Sequence, residues 1–322
     1  MDRQPAASIW SSPVPWNGRV YVGVASVAKE VGFRGSLVAL DAATGKVLWQ
    51  TFMVPAGRDG AGVFAVPALD PGRGLVYVGT QNAYSAHPAP YGHATSVVAV
   101  DAASGRIRWV FPAPPIGATA PTADVAFSAS PNLFSVRIDG RTRDLVGEGQ
   151  KGGTYWALDR DTGAVVWQTR VAPAGPLGGM EGTSGVAAGR IVVPATNWPN
   201  PSGPAAGLVA ALEAASGRLL WRQPRTAPVA SPTALGYDIV FQGGIDGVLR
   251  AYAVADGRAL WQADLGASVS GGIAVAGDTV VLGAATPAFA PFVRPGNSVV
   301  AFALTGAPAA SPVASPGASP PA

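Results

Sequence analysis

One phrase recurs five times along this chain, and its period constrains the fold more than any other feature. Each copy is a β-prone run, an acid, two small residues, Ser or Thr, Gly, often a base, and a Trp four residues after the Gly. The copies read SLVALDAATGKVLW (Asp41, Gly45, Trp49), SVVAVDAASGRIRW (Asp101, Gly105, Trp109), TYWALDRDTGAVVW (Asp159, Gly163, Trp167) and LVAALEAASGRLLW (Glu213, Gly217, Trp221). The fifth, LRAYAVADGRALW, keeps Gly257 and Trp261, and a sixth start, SVVAFALTG, runs from Ser298 to Gly306. Self-similarity of this kind decides architecture before any single residue does.

The physics of one copy is a β-hairpin. Its first half alternates large apolar with small residues, as a buried strand does. Asp-Ala-Ala-Thr-Gly is turn chemistry, because Asp bonds its own backbone and Gly supplies a positive φ. The return strand then carries an aromatic at a fixed register. Between copies lie further strand runs, such as Gly74–Gly79, Arg190–Pro194, Asp238–Gln242 and Asp278–Leu282, which makes about four strands per unit. Successive Trp residues of the phrase stand 60, 58, 54 and 40 residues apart. A four-stranded blade needs about 40–50 residues, so the longer units carry insertions. The expected fold is all-β: a β-propeller of four-stranded blades, about six of them, each Trp docking on the next blade. Residues 1–306 form that domain.

Composition agrees. There are 42 Gly and 30 Pro in 322 residues, which favours turns over helix. Only 13% of residues are charged and 48% are hydrophobic, enough for a large all-β core. The net charge is +3 and the bases form no stripe, so nucleic acid is not an expected partner. No run of 18 apolar residues is present, so no membrane span is expected. The absence of Cys excludes disulfides, iron–sulfur ligation, a Cys nucleophile and covalently attached haem. Met1-Asp-Arg-Gln-Pro lacks an apolar core, so no signal peptide is expected at this start. Residues 307–322 are a Pro/Ala/Ser tail that reads as disordered.

The Ala-x-Asp-x-x-Thr-Gly-x-x-x-Trp phrase resembles the tryptophan-docking motif of quinoprotein alcohol dehydrogenases, eight-bladed propellers that hold pyrroloquinoline quinone and usually Ca²⁺. Four stretches between the repeats strengthen the resemblance. Ala28-Lys-Glu30-Val-Gly-Phe-Arg34-Gly35 is similar to a family segment whose Glu ligates calcium. Leu69-Asp-Pro-Gly-Arg-Gly-Leu-Val-Tyr-Val-Gly79-Thr-Gln-Asn82 is similar to one whose Asn is another calcium ligand. Asp124-Val-Ala-Phe127-Ser-Ala-Ser-Pro131 resembles the segment of the catalytic base, most like the polyvinyl-alcohol dehydrogenase branch, and Gln150-Lys151-Gly resembles the segment whose basic residue contacts the quinone. Val193-Pro-Ala-Thr-Asn197 is similar to a segment with an Asn near the quinone.

The resemblance therefore implies Glu30, Asn82 and Asp124 as Ca²⁺ ligands, Lys151 and Asn197 as quinone contacts, and Asp124 as general base. It implies oxidation of an alcohol, secondary and polymeric alcohols included, with a separate electron acceptor such as a cytochrome c, in the periplasm or outside the cell. Hard oxygen donors suit Ca²⁺, and a lysine suits oxygens that become anionic on reduction. Several positions depart from the family: Ala126 replaces a second Asp, Gln81 a Gly, and Gly182 a Trp. Only 29 residues precede Glu30, so the chain reads either as a piece lacking N-terminal blades or as a smaller relative. A non-catalytic propeller acting as an interaction scaffold is the alternative. Pro173-Ala-Gly-Pro-Leu-Gly-Gly-Met-Glu181 is also similar to the polyvinyl-alcohol branch. Elsewhere, Arg34 reads as an ion-pair partner, His87 and His93 as loop residues, and Glu148 and Glu181 as turn or surface acids, with channel acids as the alternative.

Overall fold

The computed structural model describes residues 4, 6–26, 32–84, 92–114, 124–174, 178–197, 206–285 and 293–303. Among them lie 23 strands in six antiparallel sheets and no helix. The first blade is β1 (Val14–Trp16), β2 (Arg19–Val24), β3 (Ser36–Asp41) and β4 (Val47–Phe52). The second is β5 (Ala68–Asp70), β6 (Leu75–Gly79), β7 (Ser96–Asp101) and β8 (Ile107–Pro112). The third is β9 (Asn132–Ile138), β10 (Arg141–Gly149), β11 (Thr154–Asp159) and β12 (Val165–Arg170). The fourth is β13 (Gly185–Ala187), β14 (Arg190–Asn197), β15 (Ala206–Glu213) and β16 (Leu219–Arg225). The fifth is β17 (Ala234–Gly236), β18 (Ile239–Gly243), β19 (Val248–Ala253) and β20 (Ala259–Asp264). The sixth has β21 (Ile273–Ala276), β22 (Thr279–Ala284) and β23 (Ser298–Ala303). Every blade pairs its strands in chain order, and the first strands of blades two to six lie each against the next.

The repeated phrase builds the third and fourth strands and the turn between them. Asp41 Oδ1 accepts the N–H groups of Ala43 and Thr44 and the Thr44 hydroxyl, at 3.2, 2.8 and 2.7 Å. The Thr44 hydroxyl, with backbone N–H groups behind it, holds the Asp41 carboxyl below its usual pKa, and Ser104 does the same for Asp101. A β-bulge follows each turn, so that the Trp faces an Ala in all five copies: Ala39 with Trp49, Ala99 with Trp109, Ala157 with Trp167, Ala211 with Trp221 and Ala251 with Trp261. The Ala of the phrase is thus the small cross-strand partner that leaves the indole room.

Each indole then reaches the next blade. The ring N–H of Trp49 donates to Ala102 O, of Trp109 to Arg160 O, of Trp167 to Ala214 O and of Trp221 to Val254 O, at 2.9–3.2 Å. The Gly of the receiving turn serves twice. At Gly217 φ is +72°, and a Cβ there would come 2.4 Å from the Trp167 ring. Five apolar layers between successive blades form the core, each contributed by two sheets, as where Leu75, Tyr77 and Val97 meet Phe127, Val146 and Trp156.

Antiparallel order sorts the connections. Turns joining first to second and third to fourth strands lie at one end of every blade. Loops joining second to third strands, and those leading to the next blade, lie at the other. The third-to-fourth turns, residues 42–46, 102–106, 160–164, 214–218 and 254–258, all have five residues. The opposite end carries the long segments, including 80–95, 113–131 and 171–184. Asn82, Asp124, Lys151 and Glu181 belong to that end.

Candidate active site

Three separate connections bring their polar side chains to one point. Asp124 lies on the segment entering blade three, Lys151 on the tight β10–β11 turn, and Asn82 on the loop after β6. Lys151 Nζ stands 2.6 Å from Asp124 Oδ2. Asn82 Nδ2 donates to Asp124 Oδ1 at 2.8 Å, and the Ala126 backbone N–H donates to the same oxygen at 3.2 Å. Glu181, on the segment leaving blade three, completes the group with Oε1 2.9 Å from Lys151 Nζ.

Backbone bonds fix this meeting. Lys151 N–H donates to Ala126 O, Gln150 Nε2 to Val125 O, Phe127 N–H to Thr80 O, and Met180 N–H to Gln150 O. Gln150 is buried and its Oε1 accepts the Trp156 indole N–H at 3.1 Å. Gly179 runs so close to the turn that a Cβ would lie 2.1 Å from Lys151 O, so the chain can pass there only without a side chain.

Lys151 is only 8% exposed. Burial by itself would lower its pKa, but the carboxylates of Glu181 and Asp124 outweigh it and the ammonium is held above its ordinary value. The site is therefore two carboxylates around one persistent cation.

Other expected residues fall elsewhere. Asn197 ends β14 and lines a neighbouring cleft of about 150 Å³ with Ala172, Pro173, Thr196, Gly207 and Arg222; none of these is Asp124, Lys151 or Asn82. Glu30 and His87 lie outside the described residues, as does the 307–322 tail. Among the described residues, Arg34 Nε and Nη2 donate to Val54 O at 3.0 and 2.8 Å, and its guanidinium lies 3.9 Å over the Phe52 ring. His93 is half-buried, and burial lowers its pKa. The two acids expected first in turn or surface roles both point inward. Glu181, at the end of segment 173–181, joins the cluster through its ion pair with Lys151. Glu148 is 1% exposed and both its oxygens lack a hydrogen bond; burial raises its pKa well above the ordinary value. It lies in the seam between blades two and three, where a Cβ on Gly79 would come 1.9 Å from Oε1.

The donor set can be weighed against the two groups that the family resemblance implies. A buried ammonium with a raised pKa suits the anionic oxygens of a quinone. For Ca²⁺, the cluster offers the oxygens of Asn82 and Asp124 against a shell of about six to eight. Asp124 already receives three donors, and no group of three or more acidic or His side chains gathers among the described residues. These residues suit the quinone; of the three ligands expected for the ion, Glu30 lies outside the described residues.

Comparison with known proteins bears on the fold and the family. Residues 151–314 match the family described as outer membrane protein assembly factor BamB, and residues 54–184 match the glucose/ethanol/alcohol dehydrogenase β-propeller domain. A polyvinylalcohol dehydrogenase of Sphingopyxis sp. is 32% identical over 227 residues, covering 56% of this chain and 33% of that protein. One from Pseudomonas sp. is 33% identical over 218 residues, with the same coverage. The chain thus spans about a third of the length of these relatives. The quinohemoprotein alcohol dehydrogenase of Comamonas testosteroni superposes with a TM-score of 0.75 at 19% identity, over 87% of this chain and 57% of that one, which speaks for the fold. With the repeats, the six blades and these matches together, the chain belongs to the family of pyrroloquinoline-quinone-type β-propellers that includes the quinoprotein alcohol dehydrogenases.

Proposed function

We propose that this chain carries the catalytic end of a quinoprotein-type oxidoreductase that oxidises an alcohol, secondary and polymeric alcohols included. The observation that supports this reading most is the meeting of Asn82, Asp124 and Lys151 from three connections at one end of the ring. Pyrroloquinoline quinone, bound there, would supply the acceptor for the hydrogen and the two electrons of the alcohol carbon. Asp124 accepts the hydroxyl proton, held in place by Asn82 Nδ2 and the Ala126 N–H. Lys151 keeps a positive charge where negative charge develops. Asn197 would extend the quinone contact from the neighbouring cleft. Ca²⁺, with Glu30, Asn82 and Asp124 as protein ligands, enters as a dependence to be measured. The electrons would pass to a separate acceptor such as a cytochrome c, in the periplasm or outside the cell. No helix among the described residues is long and apolar enough to cross a membrane.

The test is a titration of the purified chain with the quinone, with and without Ca²⁺, followed by absorbance. Binding is expected, and Lys151→Met should weaken it at least about tenfold, as losing a charge-assisted contact does. With a dye acceptor and a secondary alcohol or polyvinyl alcohol, Asp124→Asn should cost about 10²–10⁴ in kcat, the range of general-base loss. Failure of the folded chain to bind the quinone would favour a scaffold propeller instead, in keeping with the match over residues 151–314.

A further inference from the structure

Lys151 is bracketed by the two segments that enter and leave its own blade. Asp124 comes from the entering segment and Glu181 from the leaving one, and both oxygens approach the same Nζ, at 2.6 and 2.9 Å. An ammonium has three N–H donors and turns freely about its last bond. One carboxylate claims one of these N–H groups; two carboxylates claim two and leave a single N–H for another partner.

We infer that Glu181 is a positioning residue that aims the remaining N–H of Lys151 at the ligand of the proposed site, a role that rests on the reading above for the identity of that ligand. The backbone gives Glu181 little freedom. Met180 N–H donates to Gln150 O at 3.2 Å, and Gly179 is pressed against Lys151 O. On the other side a Cβ on Gly182 would come 2.4 Å from Ser231 O. The segment 179–182 is thus wedged between the Lys151 turn and the connection entering blade five. An exposed lysine–glutamate pair contributes little, but Lys151 is 8% exposed, so each partner it loses leaves a buried donor unmatched.

The experiment needs a readout that does not depend on the quinone. The chain has three lysines, Lys29, Lys46 and Lys151, so the ammonium ¹H–¹⁵N resonance of Lys151 can be assigned with Lys151→Arg. In the wild-type chain it should be resolved and slow to exchange. Glu181→Ala should broaden it beyond detection, while Glu181→Gln, which still offers a carbonyl oxygen, should retain it. Quinone affinity should follow the same order, falling about tenfold in Glu181→Ala and less than threefold in Glu181→Gln. An unchanged Lys151 resonance in Glu181→Ala overturns the proposal, and so does a Gln variant as impaired as Ala, which would mark an effect of charge alone. If the wild-type chain binds no quinone while Glu181→Ala still loses the resonance, the functional reading fails and the positioning of Lys151 stands.

Discussion

Glu148 is the residue whose environment least suits its chemistry. Its carboxyl is buried in the seam between blades two and three, with no donor for either oxygen among the described residues. The folded chain holds it neutral by raising its pKa well above the ordinary 4.5. The folded state therefore binds a proton that the unfolded state releases once pH exceeds about 4.5. Its contribution is whole below that pH and is lost as pH climbs toward the raised folded value. Glu148→Met, similar in size and uncharged, should be more stable by about 1–3 kcal/mol at pH 7, and the gap should narrow as urea denaturation is repeated toward pH 4.5, where only the cost of the neutral buried carboxyl remains. Nothing in Val-Gly-Glu-Gly-Gln-Lys announces this burial, because alternation along β10 places Glu148 on an interior face that only the neighbouring blade creates. Glu181 stood in a recognisable segment, but its ion pair with Lys151 depends on the same packing. Asp124, Asn82 and Lys151 were legible as candidates because each sits in a recognisable segment, yet their mutual distances depend on how three blades pack. Arg34 gave no hint in sequence of the carbonyl of Val54 and the ring of Phe52 that its guanidinium meets.

The hairpin of each repeat was legible in full, since turn chemistry and strand alternation act over a few residues. The bulge and the Ala–Trp pairing were not stated by that pattern, although the invariant Ala was visible. Docking of the indole sets how much each hairpin depends on its neighbour. Trp167 and Trp221 are 8% and 9% exposed, whereas Trp261 is 42% exposed and meets Phe302 edge-on at 4.9 Å. Trp167→Ala should therefore cost about 3–5 kcal/mol, and Trp261→Ala well under half of that, by urea denaturation on the same chain. Gly217→Ala should cost more than an ordinary turn Gly, since it strains φ and strikes the Trp167 ring together.

Six blades in chain order, counted from the repeats, agree with six sheets. How evenly they are stabilised was not legible, because it depends on what covers each face. Blades two to five are packed on both sides, while Val281 and Val299 of blade six are 36% and 65% exposed. Native-state hydrogen exchange should find β22 and β23 opening first and the amides of β10, β11, β14 and β15 last; uniform protection across the blades would contradict this gradient. The five-residue turns at one end have a consequence for how such a ring changes over time. Neighbouring blades recognise each other there through a carbonyl, a glycine and an indole, so that end tolerates almost no revision. Most of the variation in length is pushed to the other end, where the long connections lie. The molecule divides itself into a fixed chassis and a replaceable tool head, and a new substrate can be accommodated by rewriting one rim while the ring beneath stays the same.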